Sequence, residues 1–111
     1  IKNGFTKYTA VAGIPELLDA ISKKLERDNS LVYKPQNIIT SNGAKHSLFN
    51  RFQSLIEHGD EVIIPAPYWV TYPELVRYSG GIPITVDTND ENGFKINAKQ
   101  LRDAITPRTK M

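Results

Sequence analysis

Three short β-branched runs alternate with segments whose apolar residues recur at helical spacing, and this alternation restricts the folds open to the chain. The runs are Ile38-Ile39-Thr40, Glu61-Val62-Ile63-Ile64-Pro65 and Ile82-Pro83-Ile84-Thr85-Val86-Asp87. The first is followed by Leu48, Phe49, Phe52, Leu55 and Ile56, spaced as one face of a helix from about Ala44 to Glu57. A helix from about Val70 to Ser79 separates the second run from the third, and Gly80-Gly81 ends it. Strands alternating with helices imply crossover connections and a parallel sheet. Continuous apolar runs fit strands buried on both faces. The predicted fold is therefore α/β, with helices covering a parallel sheet in three layers.

The flanks fit the same scheme. Pro15 opens a helix at a position that needs no N–H. Leu17, Leu18, Ile21 and Leu25 continue it to about Asp28, with Glu16 and Asp19 near its start and Lys23, Lys24 and Arg27 near its end. Residues 1–13 form an irregular lead-in. Gly59 is placed to close the second helix. Asn97 caps a last helix whose buried face carries Leu101, Ala104 and Ile105. The order is α-βα-βα-β-α within one segment. The chain begins at Ile1 without Met and finishes after Ile105-Thr106-Pro107-Arg108-Thr109-Lys110, a helix end and Pro turn that lead into a further strand. It reads as a piece of a larger chain.

Composition removes several classes. A net charge of +2 over 111 residues, with no basic stripe interleaved with aromatics, gives no footprint for nucleic acid or an anionic membrane surface. No apolar stretch approaches a membrane span. The absence of cysteine excludes a disulfide framework and a thiolate metal site, and fits a reducing compartment such as the cytoplasm. His46 and His58 lack partners at metal-ligand spacing. His46 reads as a helix-surface residue and His58 as a neighbour of a helix cap. Asp60 and Glu61 read as solvated residues ahead of a strand.

Chemistry is sought outside the carboxyl ends of parallel strands. Two segments leave such ends. Ser41-Asn42-Gly43-Ala44-Lys45 joins a strand to a helix through a Gly turn, the geometry that aims unpaired N–H groups and the positive end of the helix dipole at an anion. Lys45 in the first helical turn is unfavourable for the helix alone, so it points to a negative partner. The residues by themselves leave open a plain turn with a solvated Lys45. The second segment, Ala66-Pro67-Tyr68-Trp69, is stiffened by Pro65 and Pro67 and directs the only Trp of the chain. Trp69 is suited either to packing at a helix entry or to covering a flat ring that carries a phosphate. Tyr8 lies in the lead-in.

These segments together resemble class I aminotransferases. Tyr8-Thr9-Ala10-Val11-Ala12-Gly13-Ile14-Pro15-Glu16-Leu17 resembles their tyrosine-loop-helix segment, and Thr40-Ser41-Asn42-Gly43-Ala44-Lys45-His46 their phosphate turn. The stretch from Asp60 to Pro73, with Pro67-Tyr68-Trp69 at its centre, resembles their ring-stacking segment. Gly93-Phe94 and Ile105-Thr106-Pro107-Arg108-Thr109-Lys110 match later landmarks. The likeness runs through nearly the whole chain and is nearest to the bacterial-type aspartate aminotransferase subgroup of fold-type I pyridoxal-phosphate enzymes.

The resemblance implies a homodimer that uses pyridoxal 5'-phosphate to move an amino group between aspartate or glutamate and a 2-oxo acid. It implies that the amides of Gly43, Ala44 and Lys45 hold the cofactor phosphate and that Trp69 stacks on the ring and lines the substrate pocket. It also implies that Lys45 meets the distal carboxylate of the substrate and that Tyr8 reaches the phosphate of the neighbouring subunit. No catalytic residue falls within the segment, since the family's Schiff-base Lys lies downstream. Aromatic or prephenate-like substrates, a fold-type I lyase, and a non-catalytic phosphate-binding module remain as alternatives.

Overall fold

The computed structural model describes residues 2–111; Ile1, the first residue of the lead-in, lies outside the described residues. The chain divides into two compact units, Ile1–Ser47 and Leu48–Met111.

In the first unit, α1 (Pro15–Asn29) starts with its Pro in the first turn and stops at Ser30, which takes a left-handed conformation and donates its N–H to the Glu26 carbonyl. Leu18 is its buried residue. A short 3-10 turn, Pro35–Asn37, follows. The expected strand Ile38-Ile39-Thr40 is absent as a strand. The β-branched run does favour extended backbone, and Ile38 is extended (φ −117°, ψ 132°), but a ladder needs a partner strand. Thr40 instead bonds a loop: its N–H and its hydroxyl both donate to the Ala12 carbonyl, at 2.8 and 3.0 Å. This double bond fastens the lead-in to the residue just ahead of the Gly43 turn.

Helix α2 (Ala44–Leu55) begins where expected and ends two residues early. In the second unit, β1 (Glu61–Ala66) pairs in parallel with β2 (Ile82–Asp87), Glu61 opposite Ile82 and Ala66 opposite Asp87. Helix α3 (Thr71–Tyr78) connects them. Among the described residues these are the two strands of the sheet. Phe52, Ile56, Val62, Ile64 and Val76 form the core, so α2, β1 and α3 share one apolar centre. Helix α4 (Ala98–Ala104) opens with the predicted Asn97 cap, completed as a capping box by Gln100. Its face is less covered than expected: Leu101 and Ile105 are exposed and border an open hollow of about 390 Å³ with Ile63 and Met111. The face is apolar and borders that hollow, while α4 is tied to β2 by Gln100 Nε2, which donates to the Asp87 carbonyl at 2.9 Å.

Glu61 corrects the sequence reading. It is not solvated but 2% exposed, the one buried charged residue among the described residues. The Arg108 guanidinium donates to Glu61 Oε1 from Nε and Nη2, at 3.0 and 2.7 Å, and the Thr106 hydroxyl donates to Oε2 at 2.5 Å. Backbone bonds add to this. Glu61 N–H donates to the Arg108 carbonyl, Lys110 N–H donates to the Glu61 carbonyl, and Ile63 N–H donates to the Met111 carbonyl, each at 2.8 Å. Thr109 bridges Glu61 in parallel, so the segment after the Pro107 turn does run beside β1 as a strand-like continuation. The buried carboxylate is matched by donors on both oxygens, as burial of a charge demands.

The Thr106 and Arg108 hydrogen bonds hold the Glu61 carboxyl below its ordinary value of 4.5. A carboxyl depressed in the folded state stabilises fully above its unfolded value and loses that stabilisation as the pH falls through the folded one. Stability should therefore decline below about pH 4.5 more steeply for the parent sequence than for Glu61→Gln, in denaturant unfolding followed at several pH values. Parallel curves for the two proteins would assign the acid sensitivity elsewhere.

Candidate functional site

In the first unit the Gly43 turn and the lead-in border one concave hollow of about 510 Å³, with Tyr8, Thr40, Ser41, Asn42 and His46 among its walls. Two features build the turn. Gly43 sits at φ +87°, which favours glycine, and beyond its immediate chain neighbours no atom lies within 4 Å of where its Cβ would stand. The space over the turn is therefore open to a ligand, and any side chain at 43 would enter it. Helix α2 starts at the next residue, so the N–H groups of its first turn point out of the helix end.

Two amides of the turn are used internally. Gly43 N–H donates to the Ser41 carbonyl at 2.8 Å, and Asn42 N–H donates to Nδ1 of His46 at 3.1 Å. The expectation that the Gly43 amide has no backbone partner is thus not met, because the tight turn brings the Ser41 carbonyl onto it. The first carbonyl to accept within the helix is that of Gly43, from Ser47 N–H at 3.3 Å. Lys45 is exposed in the first turn. Tyr8 is fully exposed, available to something outside its own chain.

In the second unit, the carboxyl end of β1 is held by Thr88, whose N–H and hydroxyl both donate to the Ala66 carbonyl. The chain then passes through Pro67 to Trp69, whose carbonyl accepts the Tyr72 N–H at 3.0 Å and so leads into α3. Trp69 is 60% exposed. It is not a helix-entry core residue, and an exposed indole at a strand end offers a ring face to a ligand.

In the first unit, an open Gly turn at a helix N-terminus with a cation in its first turn fits a phosphate; in the second unit, taken by itself, an exposed indole fits the face of a planar ring. The tie between Thr40 and Ala12, beside Gly13, has no local signature, since that bond spans 28 residues. His46 is exposed on α2, as its reading as a helix-surface residue expects, and its Nδ1 also accepts the Asn42 N–H. Among the described residues no helix is long and apolar enough to cross a membrane.

Comparison with known proteins agrees with this geometry. The family model for aminotransferase class I and II matches residues 1–111. The aspartate/prephenate aminotransferase of Nitrosomonas europaea is 54% identical over 111 residues, 100% of this chain and 28% of that protein. The aspartate aminotransferase of Bacillus sp. (strain YM-2) is 51% identical over 110 residues, 99% of this chain and 28% of its own length. The crystal structure of Thermus thermophilus aspartate aminotransferase with maleate superposes with a TM-score of 0.93 at 48% identity, covering 97% of this chain and 28% of that one. The chain thus spans a little over a quarter of the relatives it matches. With the family model matching residues 1–111, the chain belongs to the class I and II aminotransferases.

Proposed function

We propose that this chain is part of the large domain of a pyridoxal-phosphate aminotransferase that moves an amino group between an acidic amino acid and a 2-oxo acid. The observation that carries the reading is the open Gly43 turn at the start of α2 with Lys45 beside it. The amides of Gly43, Ala44 and Lys45 hold the cofactor phosphate; for the Gly43 amide this means exchanging its bond to Ser41 for one to the anion. Trp69 covers the ring. When bound, pyridoxal phosphate supplies the electron sink for amino-group transfer. The protein acts as a homodimer in the cytoplasm, and Tyr8, exposed in its own chain, reaches the phosphate of the neighbouring protomer.

Lys45 pairs with the distal carboxylate of the substrate. In the full-length enzyme, Lys45→Ala should lower kcat/KM for aspartate or glutamate roughly ten- to a hundred-fold, the scale of about 1.5–3 kcal/mol for a hydrogen bond to a charged group. Activity toward alanine should fall much less. An equal loss for both substrate classes at saturating cofactor would confine Lys45 to the phosphate. A second reading, with prephenate as the amino acceptor, is supported by the name of the Nitrosomonas relative. Prephenate is itself a dicarboxylate, so Lys45 would serve either substrate, and steady-state rates with both acceptors separate the two readings.

A further inference from the structure

We propose that His46 is the positioning residue of the phosphate turn, holding it in shape through the Asn42 amide. His46 is the third residue of α2, and its Nδ1 accepts the Asn42 N–H at 3.1 Å across four residues. Side chains in a first helical turn lean toward the helix N-terminus, which carries the ring back over the turn. The arrangement is related to one half of a capping box but shifted by one residue: the side chain three residues into the helix accepts the N–H of Asn42, the residue before the N-cap position, rather than that of Gly43. The same chain has the complete form in α4, where Gln100 Oε1 accepts the Asn97 N–H at 3.0 Å. As an acceptor, Nδ1 carries a lone pair, so the neutral ring has its proton on Nε2.

Of the two internally bonded N–H groups of the turn, Gly43 gives up Ser41 to the anion, whereas Asn42 stays tied to His46. An anion seated on the turn meets a backbone already shaped for it. Without His46 the Asn42 amide is released, and ordering residues 41–43 falls to the ligand, which lowers its affinity.

The inference rests on the reading of the turn as a phosphate cradle, and the experiment keeps the two apart. The dissociation constant of pyridoxal phosphate is measured by absorbance in the full-length protein, its His46→Gln variant and its His46→Leu variant. Amide exchange of Asn42 is followed by NMR in the unliganded forms. Leu, with no acceptor, should weaken cofactor binding about three- to tenfold, the scale of one hydrogen bond, and speed Asn42 exchange. Gln, which carries an acceptor of similar reach, should restore both. Equal affinities in all three proteins, equal weakening in both variants, or unchanged Asn42 exchange in the Leu variant would each overturn the role of His46. Failure of the unsubstituted protein to bind pyridoxal phosphate would remove the cradle itself, and the positioning role with it.

Discussion

Phe52→Ala is expected to destabilise the second unit by about 3–5 kcal/mol, the range for truncating a buried aromatic residue. Phe52 is 5% exposed and packs in one cluster with Ile56, Val62, Ile64 and Val76. It is the buried residue of α2, and its truncation leaves a cavity in that cluster. The ring also borders an apolar hollow of about 230 Å³ that includes Leu48, Tyr72 and Met111. That hollow lets the site collapse partly, which favours the lower end of the range. Phe52→Leu, which retains most of the volume, should cost clearly less. Denaturant unfolding measures both, and a loss below about 1 kcal/mol for Phe52→Ala would mean that the cluster repacks around the gap.

The second large effect is expected at Gly13. Its φ of +120° is a conformation that side chains rarely adopt, and a Cβ there would stand 2.3 Å from Thr40 Oγ1 and 3.4 Å from Leu18 Cδ2. Thr40 cannot easily give way, because its hydroxyl and N–H both hold the Ala12 carbonyl. Gly13→Ala should cost about 2–4 kcal/mol, from backbone strain and overpacking together. The damage falls on the contact that ties the Tyr8 lead-in to Thr40, ahead of the Gly43 turn. In the full-length protein, cofactor affinity should drop along with stability. Thr40→Ala in the same background removes the oxygen the new methyl meets, so the double variant should recover part of the loss. A double variant no more stable than Gly13→Ala would place the whole cost in the backbone.

What could be read from the residues in order was the part governed by neighbours in the chain. Pro15, the Asn97 cap with Gln100, and the apolar runs of β1 and β2 act within a few residues, and each produced its element at the expected place. The Gly43 turn and the exit toward Trp69 were legible for the same reason, since a glycine at positive φ and a Pro-stiffened strand end are local devices. The family followed from motifs made of such devices. Tertiary structure decided the rest. Ile38-Ile39-Thr40 had the residues of a strand, but pairing depends on a partner, and Thr40 found Ala12 instead. Glu61 looked like a solvated charge because its partners, Thr106 and Arg108, lie more than forty residues away. The exposure of Trp69 and the uncovered face of α4 likewise depend on what stands opposite them. Periodicity states which face of an element is apolar; only distant chain brought into contact determines whether that face, or a buried charge, is satisfied.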